Sequence, residues 1–218
     1  MKTRNVLLGI CFILLTSCVV KSLHPFYTKE TISFDKNFIG DWKDSKNGTW
    51  KVVSFISEIT KDNPVDKMKE DDLKIYKEYK KSYYILREYK DKEVLFIVTP
   101  FIINNQKFLD FFPLDHQEGI DNLLQSHSIY THSLVKYDVQ KNGEIEIKWL
   151  DEDKIKTLFK EQKIKIKHET IGLLNEDYLL TASSKELQKF VEKYMASNDT
   201  EKWETSTKFT LHKVNATN

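Results

Sequence analysis

The side chains that could do catalytic or metal chemistry are scattered through the sequence. His127 and His132 are five residues apart and would face opposite sides of one strand, whereas metal ligands must converge. Ser126 adjoins His127 in sequence only, and a nucleophile also needs a base and an oxyanion hole in space. Asp110 and Asp115 could act as an acid–base pair, but a chain with 33 acidic residues contains such pairs by chance. We therefore predict no enzymatic activity, no catalytic residue and no metal site.

Cys18 has the surroundings of a cysteine that is modified during export. Two basic residues precede an apolar run over residues 6–15, which is too short to span a bilayer. The run ends in Leu15-Thr16-Ser17-Cys18, which resembles the bacterial lipobox. The resemblance implies that residues 1–17 are a cleaved signal peptide and that Cys18 carries a thioether-linked diacylglycerol and an N-acyl chain. An ordinary signal peptide with a chance cysteine near the cut is the alternative.

Cleavage after residue 17 would change the charge and thiol content. It removes two of the 34 basic residues and leaves 32 against 33 acidic ones, a balance that disfavours nucleic acid as a partner. Cys11 leaves with the signal, so Cys18 becomes the only cysteine and no internal disulfide can form. We expect no cofactor apart from the acyl chains. Val19-Val20-Lys21-Ser22 resembles sorting patterns that imply the periplasmic face of the outer membrane, with the membrane as partner through the anchor.

The elements that must position any site are mostly strands. Asn47-Gly48, Asn104-Asn105 and Asn142-Gly143 separate apolar segments, and such pairs are strong hairpin signals. Apolar and polar residues alternate with a period of two in several of these segments, as in half-buried strands. We predict about nine strands in an antiparallel meander, at residues 50–57, 81–89, 94–98, 106–112, 129–139, 144–149, 163–167, 178–182 and 203–212.

Two amphipathic helices interrupt the strands. Ser183 and Glu186 have the spacing of a capping box and predict a helix through Tyr194, and a weaker pattern predicts a helix over residues 151–162. Residues 61–80 are charged and predict a loop or a short helix. We predict a lipidated tether over residues 18–33, which begins to dock near Phe34. Residues 34–214 then form one mainly β (β-rich α+β) domain, a single antiparallel barrel or strongly curved sheet.

A strand that precedes these carries a Gly-x-Trp motif, Gly40 to Trp42, which resembles the opening strand of lipocalin-like barrels. The resemblance implies that the glycine permits close chain packing and that Trp42 plugs the closed end of the barrel. Lipocalins place an arginine from the last strand against this tryptophan. The mature chain has one arginine, Arg87, so Lys208 or Lys213 would have to substitute. The resemblance also implies that the barrel could carry an apolar molecule.

A second resemblance is to a group of uncharacterised bacterial lipoproteins. The shared features are the motif from Ser22 to Thr28, the Gly-x-Trp strand, a second strand with Trp50, and a late run from Leu180 into the helix with Phe190. This resemblance spans most of residues 18–214. It implies a compact barrel-like fold on a lipid tether and no known activity.

Two functions remain open, with unknown ligand-binding residues. A lipid-anchored barrel could hold a small apolar or amphipathic ligand in its mouth, or a non-catalytic domain could contact another envelope protein. The aromatic side chains could line a cavity, although filling of the core is the expected use. These aromatic residues are Tyr76, Tyr79, Tyr83, Tyr84, Tyr89, Phe101, Phe108, Phe111 and Phe112.

Overall fold

The computed structural model describes residues 19–114, 128–175 and 177–214. Its strands are β1 (Lys21–Ser22), β2 (Gly40–Asp44), β3 (Thr49–Ser54), β4 (Tyr83–Tyr89), β5 (Lys92–Ile103), β6 (Gln106–Leu114), β7 (Ser133–Val139), β8 (Ile145–Trp149), β9 (His168–Ile171), β10 (Asp177–Leu180) and β11 (Lys208–Lys213). Its helices are α1 (Phe55–Ile59), α2 (Glu70–Tyr79), α3 (Glu152–Lys160) and α4 (Ser184–Ala196), with short 3-10 helices at Lys36–Phe38 and Val65–Lys67.

Eight antiparallel strands close into a barrel, which confirms the predicted mainly β, lipocalin-like fold. Strands β2 to β8 follow one another round the barrel as a meander, and β11 closes it by pairing with β8 and β2. The predicted turns allow this path. Asn104 and Asn105 have φ of 48° and 65°, a left-handed conformation that asparagine tolerates and that a tight hairpin requires.

Side chains fill the interior of the barrel. Phe111 packs against Trp50 and Trp149, with ring centroids 6.3 and 5.0 Å apart, and Phe38 packs edge-on against Tyr83 at 5.1 Å. The aromatic residues therefore build a core, as large buried rings normally do. The interior cluster consists of Phe38, Trp42, Trp50, Val52, Tyr83, Ile85, Val98, Leu109, Phe111, Val135, Tyr137, Ile145, Ile147, Trp149 and Leu211.

The Gly-x-Trp strand closes one end of the barrel. The indole N–H of Trp42 donates to the carbonyl oxygen of Phe38 at 2.9 Å, and Phe38 is fully buried at the end of its 3-10 helix. Lys213 on the last strand lies over the Trp42 ring, with its Nζ 5.4 Å from the centroid. Gly40 has φ of 137°, and a Cβ there would lie 3.3 Å from Cε of Lys213. The lysine thus takes the place of the lipocalin arginine, and the glycine makes room for it.

We expect the Lys213→Ala substitution to lower the free energy of unfolding by about 0.5–1 kcal/mol, the usual contribution of an exposed cation–π contact. Urea denaturation followed by tryptophan fluorescence would measure the change. Lys208→Ala is the matched control, because Lys208 is an exposed lysine on the same strand, 4.0 Å from Glu204, and should change stability by less than about 0.5 kcal/mol. Equal effects of the two substitutions would contradict the Trp42 contact.

A second layer covers one side of the barrel wall. Strands β1, β10 and β9 form a separate three-stranded sheet, and helices α3 and α4 pack beside it. Both helices begin as their sequences predict: Asp151 accepts from the Lys154 amide at 2.9 Å, and Ser183 with Glu186 forms the capping box. The second core between helices and barrel wall contains Val20, Phe26, Tyr27, Phe101, Ile103, Phe108, Leu134, Leu150, Ile155, Ile166, Leu180, Ala182, Leu187, Phe190, Val191, Tyr194 and Trp203.

The chain docks earlier than the sequence predicts. Val20 and Phe26 are buried, β1 pairs in parallel with β10, and the Ser22 amide donates to the His132 carbonyl oxygen at 2.9 Å. The expectation that docking begins near Phe34 is therefore wrong. The segment has no hydrophobic period because its backbone is mostly irregular and each side chain meets a different element.

Two strand predictions are also wrong. Residues 163–167 are extended but lie before β9, and their alternation reflects packing of Ile164 and Ile166 onto the second core. Trp203 precedes β11 and belongs to the second core, whereas Leu211 points into the barrel. Trp203 and Leu211 are an even number of residues apart, which would place them on the same face of one continuous strand. They lie in different cores because the strand begins only at Lys208.

Candidate functional site

A groove outside the barrel is the strongest candidate for a binding site. It has a volume of about 650 Å³ and lies between helix α4, the end of α3 and the extended segment 162–167. This volume falls within the range of about 300–1,000 Å³ that is usual for small-molecule sites. The groove is formed by Leu158, Gln162, Lys163, Ile164, Lys165, Ile166, Lys167, Glu186, Lys189, Phe190, Lys193, Tyr194, Ser197 and Asp199.

Two local patterns give the groove an apolar floor. The capping box starts α4, and Phe190 and Tyr194 then lie one turn apart with stacked rings whose centroids are 5.7 Å apart. Across from them, the extended segment turns Ile164 and Ile166 toward the second core while the lysines between them face solvent. An amphipathic helix thus faces an amphipathic extended segment.

Lysines surround this floor. Lys165, Lys167, Lys189 and Lys193 are exposed, and no carboxylate of the described residues lies within 4 Å of their ammonium groups. Lys163 is paired with Glu161 at 2.8 Å. Four cations without a paired carboxylate therefore surround an apolar floor.

The two acidic residues of the groove are held by other partners. Glu186 accepts from the Ser183 amide at 2.8 Å, and the hydrogen bonds from Ser183 lower the pKa of Glu186, with smaller contributions from the charges of Lys167 and Lys189. Asp199 pairs with Lys154 at 2.7 Å, and this contact lowers the pKa of Asp199. Both carboxylates stay ionised at neutral pH, and five lysines against two carboxylates leave the groove cationic. An apolar floor with a cationic rim fits an amphipathic anion.

The barrel end opposite Phe38 is closed by a buried ion pair. Asp44 accepts from the Trp50 indole at 2.8 Å and from the Arg87 guanidinium at 2.9 Å, and its other oxygen accepts from the Gly48 amide at 2.8 Å. Burial alone would raise the pKa of Asp44, but these hydrogen bonds outweigh it and hold the pKa below its ordinary value. Arg87 also lies 5.0 Å from the Phe209 ring centroid. Each of these polar groups has its hydrogen-bond partner within the protein. The cluster therefore stabilises the fold and leaves no group for a ligand.

His132 and Asp110 meet outside the barrel. The Nδ1 atom of His132 lies 2.6 Å from Asp110 Oδ2, and Asp110 Oδ1 accepts from the Phe26 amide at 2.8 Å. The pair is buried beneath the N-terminal segment, with 10% of the His132 side chain and 2% of the Asp110 side chain exposed. Its contacts hold the segment to the barrel. Asp115, Ser126 and His127, which the sequence offered as further chemical groups, lie outside the described residues.

His168 and Tyr79 also have structural surroundings. His168 Nδ1 lies 2.8 Å from the Ile166 carbonyl oxygen, and its ring packs on Phe159 with centroids 4.0 Å apart. Tyr79, the last residue of α2, packs on Phe55 at the start of α1. Within residues 19–114, 128–175 and 177–214, no three His, Cys, Asp or Glu side chains come together as a metal site. No helix in the same part of the chain is long and apolar enough to cross a membrane.

Cys18, the predicted lipid attachment site, lies just outside the described residues, directly before Val19. Comparison with family models, curated protein sequences and solved structures gives no significant match. The sequence prediction missed the groove, although both of its halves left a signal. Lysines alternate with isoleucines before His168, and Lys189 and Lys193 are one turn apart on α4.

Proposed function

We propose that the protein is a lipid-anchored envelope protein that binds an amphipathic anion in the groove between α4 and residues 162–167. The observation that carries this proposal is the four lysines that have no ion-pair partner among the described residues, around a floor of apolar side chains. Attachment through Cys18 to the periplasmic face of the outer membrane is supported by the signal sequence and the residues that follow it.

The groove is favoured over the barrel mouth because the barrel interior is occupied by packed aromatic rings. A ligand inside the barrel would have to displace Trp50, Phe111 or Trp149, which contact one another across the interior. Displacing a buried large side chain costs several kcal/mol. In the groove, a ligand would only replace water above Phe190 and Ile164.

The arrangement of the groove selects the chemical class of the ligand. Leu158, Ile164 and Phe190 offer surface to a single acyl chain, while the ammonium groups of Lys165 and Lys189 are available to a carboxylate or phosphate. Hydrogen bonds to a charged group contribute about 1.5–3 kcal/mol each, so the headgroup would add both affinity and selectivity against neutral lipids.

Binding of a fatty acid to the soluble domain, residues 19–214, tests this proposal. We expect the Lys189→Glu/Lys193→Glu double variant to weaken binding of a fluorescent fatty acid at least about tenfold, since 1.4 kcal/mol of lost binding energy is tenfold. Displacement of the probe by unlabelled palmitate but not by the uncharged alcohol of the same length would support the anionic class.

Lys43→Glu/Lys51→Glu is the matched control, because it makes the same change in net charge on exposed positions of β2 and β3. This control variant should bind the fatty acid like the unmodified domain. If both double variants lose affinity equally, the effect comes from overall charge and the groove is not the site.

A further inference from the structure

The turn between β9 and β10 projects two leucines into solvent. Leu173 is 96% exposed and Leu174 is 81% exposed. Gly172, with φ of 93°, accepts at its carbonyl oxygen from the Asn175 amide at 3.3 Å, so a tight turn holds the two leucines at its tip. Removal of apolar side chains from water is favourable, so two adjacent exposed leucines at a tip indicate a surface that something covers.

The register of the small sheet places this tip at the end where the chain enters. Strand β1 runs parallel to β10, with Lys21 opposite Leu179 and Ser22 opposite Leu180. Extension of this register by two residues sets Val19 level with Asp177, the first residue of β10 after the turn. Cys18 precedes Val19, so its Cα lies within about 3.8 Å of that of Val19.

We propose that Leu173 and Leu174 insert into the bilayer surface beside the acyl chains of Cys18 and so fix the orientation of the domain. This inference rests on the lipid attachment at Cys18 proposed above. The anchor brings the tip to the bilayer at a high effective concentration, so even a weak apolar contact is populated. A lipid on Cys18 alone holds the domain at one point, whereas a second contact at the tip prevents it from tumbling.

The carboxylate at the start of β10 is compensated within the protein. Asp177, the first residue of β10, is shared between Lys21 at 3.5 Å and Lys156 at 3.2 Å. Because this carboxylate is paired with two lysines, it does not oppose approach to a lipid surface.

Anchored protein on vesicles tests the contact without any need for cellular lipidation. The chain from Cys18 to Asn218 contains one thiol, so Cys18 can be coupled to a maleimide lipid in phosphatidylcholine vesicles that contain brominated chains. The four native tryptophans are at most 8% exposed, and a Leu173→Trp variant adds one at the tip. We expect bromine to quench this added emission by about half or more and to shift it to the blue.

Val139→Trp is the matched control, because Val139 is 52% exposed and lies at the far end of the β7–β8 hairpin from Asp151, the bridging partner of Val19. Its emission should be unquenched. Addition of Leu174→Asp to the Leu173→Trp variant should remove most of the quenching there. Equal quenching at positions 139 and 173 would overturn the proposal.

Two further measurements separate this inference from the proposed anchor. Mass spectrometry of the N-terminal peptide from bacterial membranes tests the acylation of Cys18, which the vesicle experiment bypasses. A photo-crosslinker at position 173 tests the tip in cells: crosslinks to lipid support the inference, whereas crosslinks to one envelope protein would replace it with a protein partner.

Discussion

The Asp44→Ala substitution is expected to lower the free energy of unfolding by about 3–5 kcal/mol, the usual cost of removing one partner of a buried ion pair. It would leave the Arg87 guanidinium, the Trp50 indole and the Gly48 amide without their shared acceptor. Asp44 is 3% exposed, so water cannot replace the carboxylate without opening the end of the barrel. Urea denaturation followed by tryptophan fluorescence measures the loss.

The tight β2–β3 turn explains why this cluster tolerates little change. A Cβ on Gly48 would lie 2.5 Å from Asp44 Oδ2, so the glycine leaves room for the carboxylate. Asp41→Ala is the matched control, since Asp41 is an exposed aspartate on the same strand and should change stability by less than about 0.5 kcal/mol. A similar small loss for Asp44→Ala would show that its contacts contribute little.

The barrel could be predicted because its signals are local. The Gly-x-Trp strand, the alternation at Ile145 and Ile147, and the asparagine turns each specify a backbone conformation within a few residues. The sequence also indicated that Lys208 or Lys213 would take the place of the lipocalin arginine against Trp42. The structure then places Lys213 over Trp42, because β11 pairs with β2 in a register that sets Lys213 opposite Trp42.

The sites could not be predicted because they depend on contacts between distant segments. Asp110 and His132 are 22 residues apart, and they meet because β6 and β7 pair with Asp110 opposite Leu134. The groove likewise needs Lys165 and Lys189 on the same side of the second core. Strand register and helix packing set these distances, and the hydrophobic pattern of the sequence does not show which distant residues they bring together.

The Asp110→Ala substitution should lower the free energy of unfolding by about 2–6 kcal/mol, because it leaves two buried groups, the Phe26 amide and the His132 ring, without their partner at about 1–3 kcal/mol each. The loss should be concentrated in the N-terminal segment, since Asp110 binds the Phe26 amide of that segment directly and supports His132, whose backbone pairs with that of Ser22. Trypsin should therefore cleave after Lys21 and Lys29 sooner than in the unmodified domain. Denaturation in urea measures the total loss of stability.

A double-mutant cycle with His132→Ala measures how much of the lost stability comes from the contact between Asp110 and His132. If the two side chains act on each other, the double variant should lose at least about 0.5 kcal/mol less than the sum of the single variants. Asp110→Asn retains an oxygen for the Phe26 amide and should keep the segment more resistant to trypsin than Asp110→Ala does. Unchanged cleavage in Asp110→Ala would mean that the apolar packing of Val20 and Phe26 and the backbone pairing of β1 are enough to hold the segment. Because Val19 follows Cys18 directly, this buried pair helps to set where the anchor meets the folded domain.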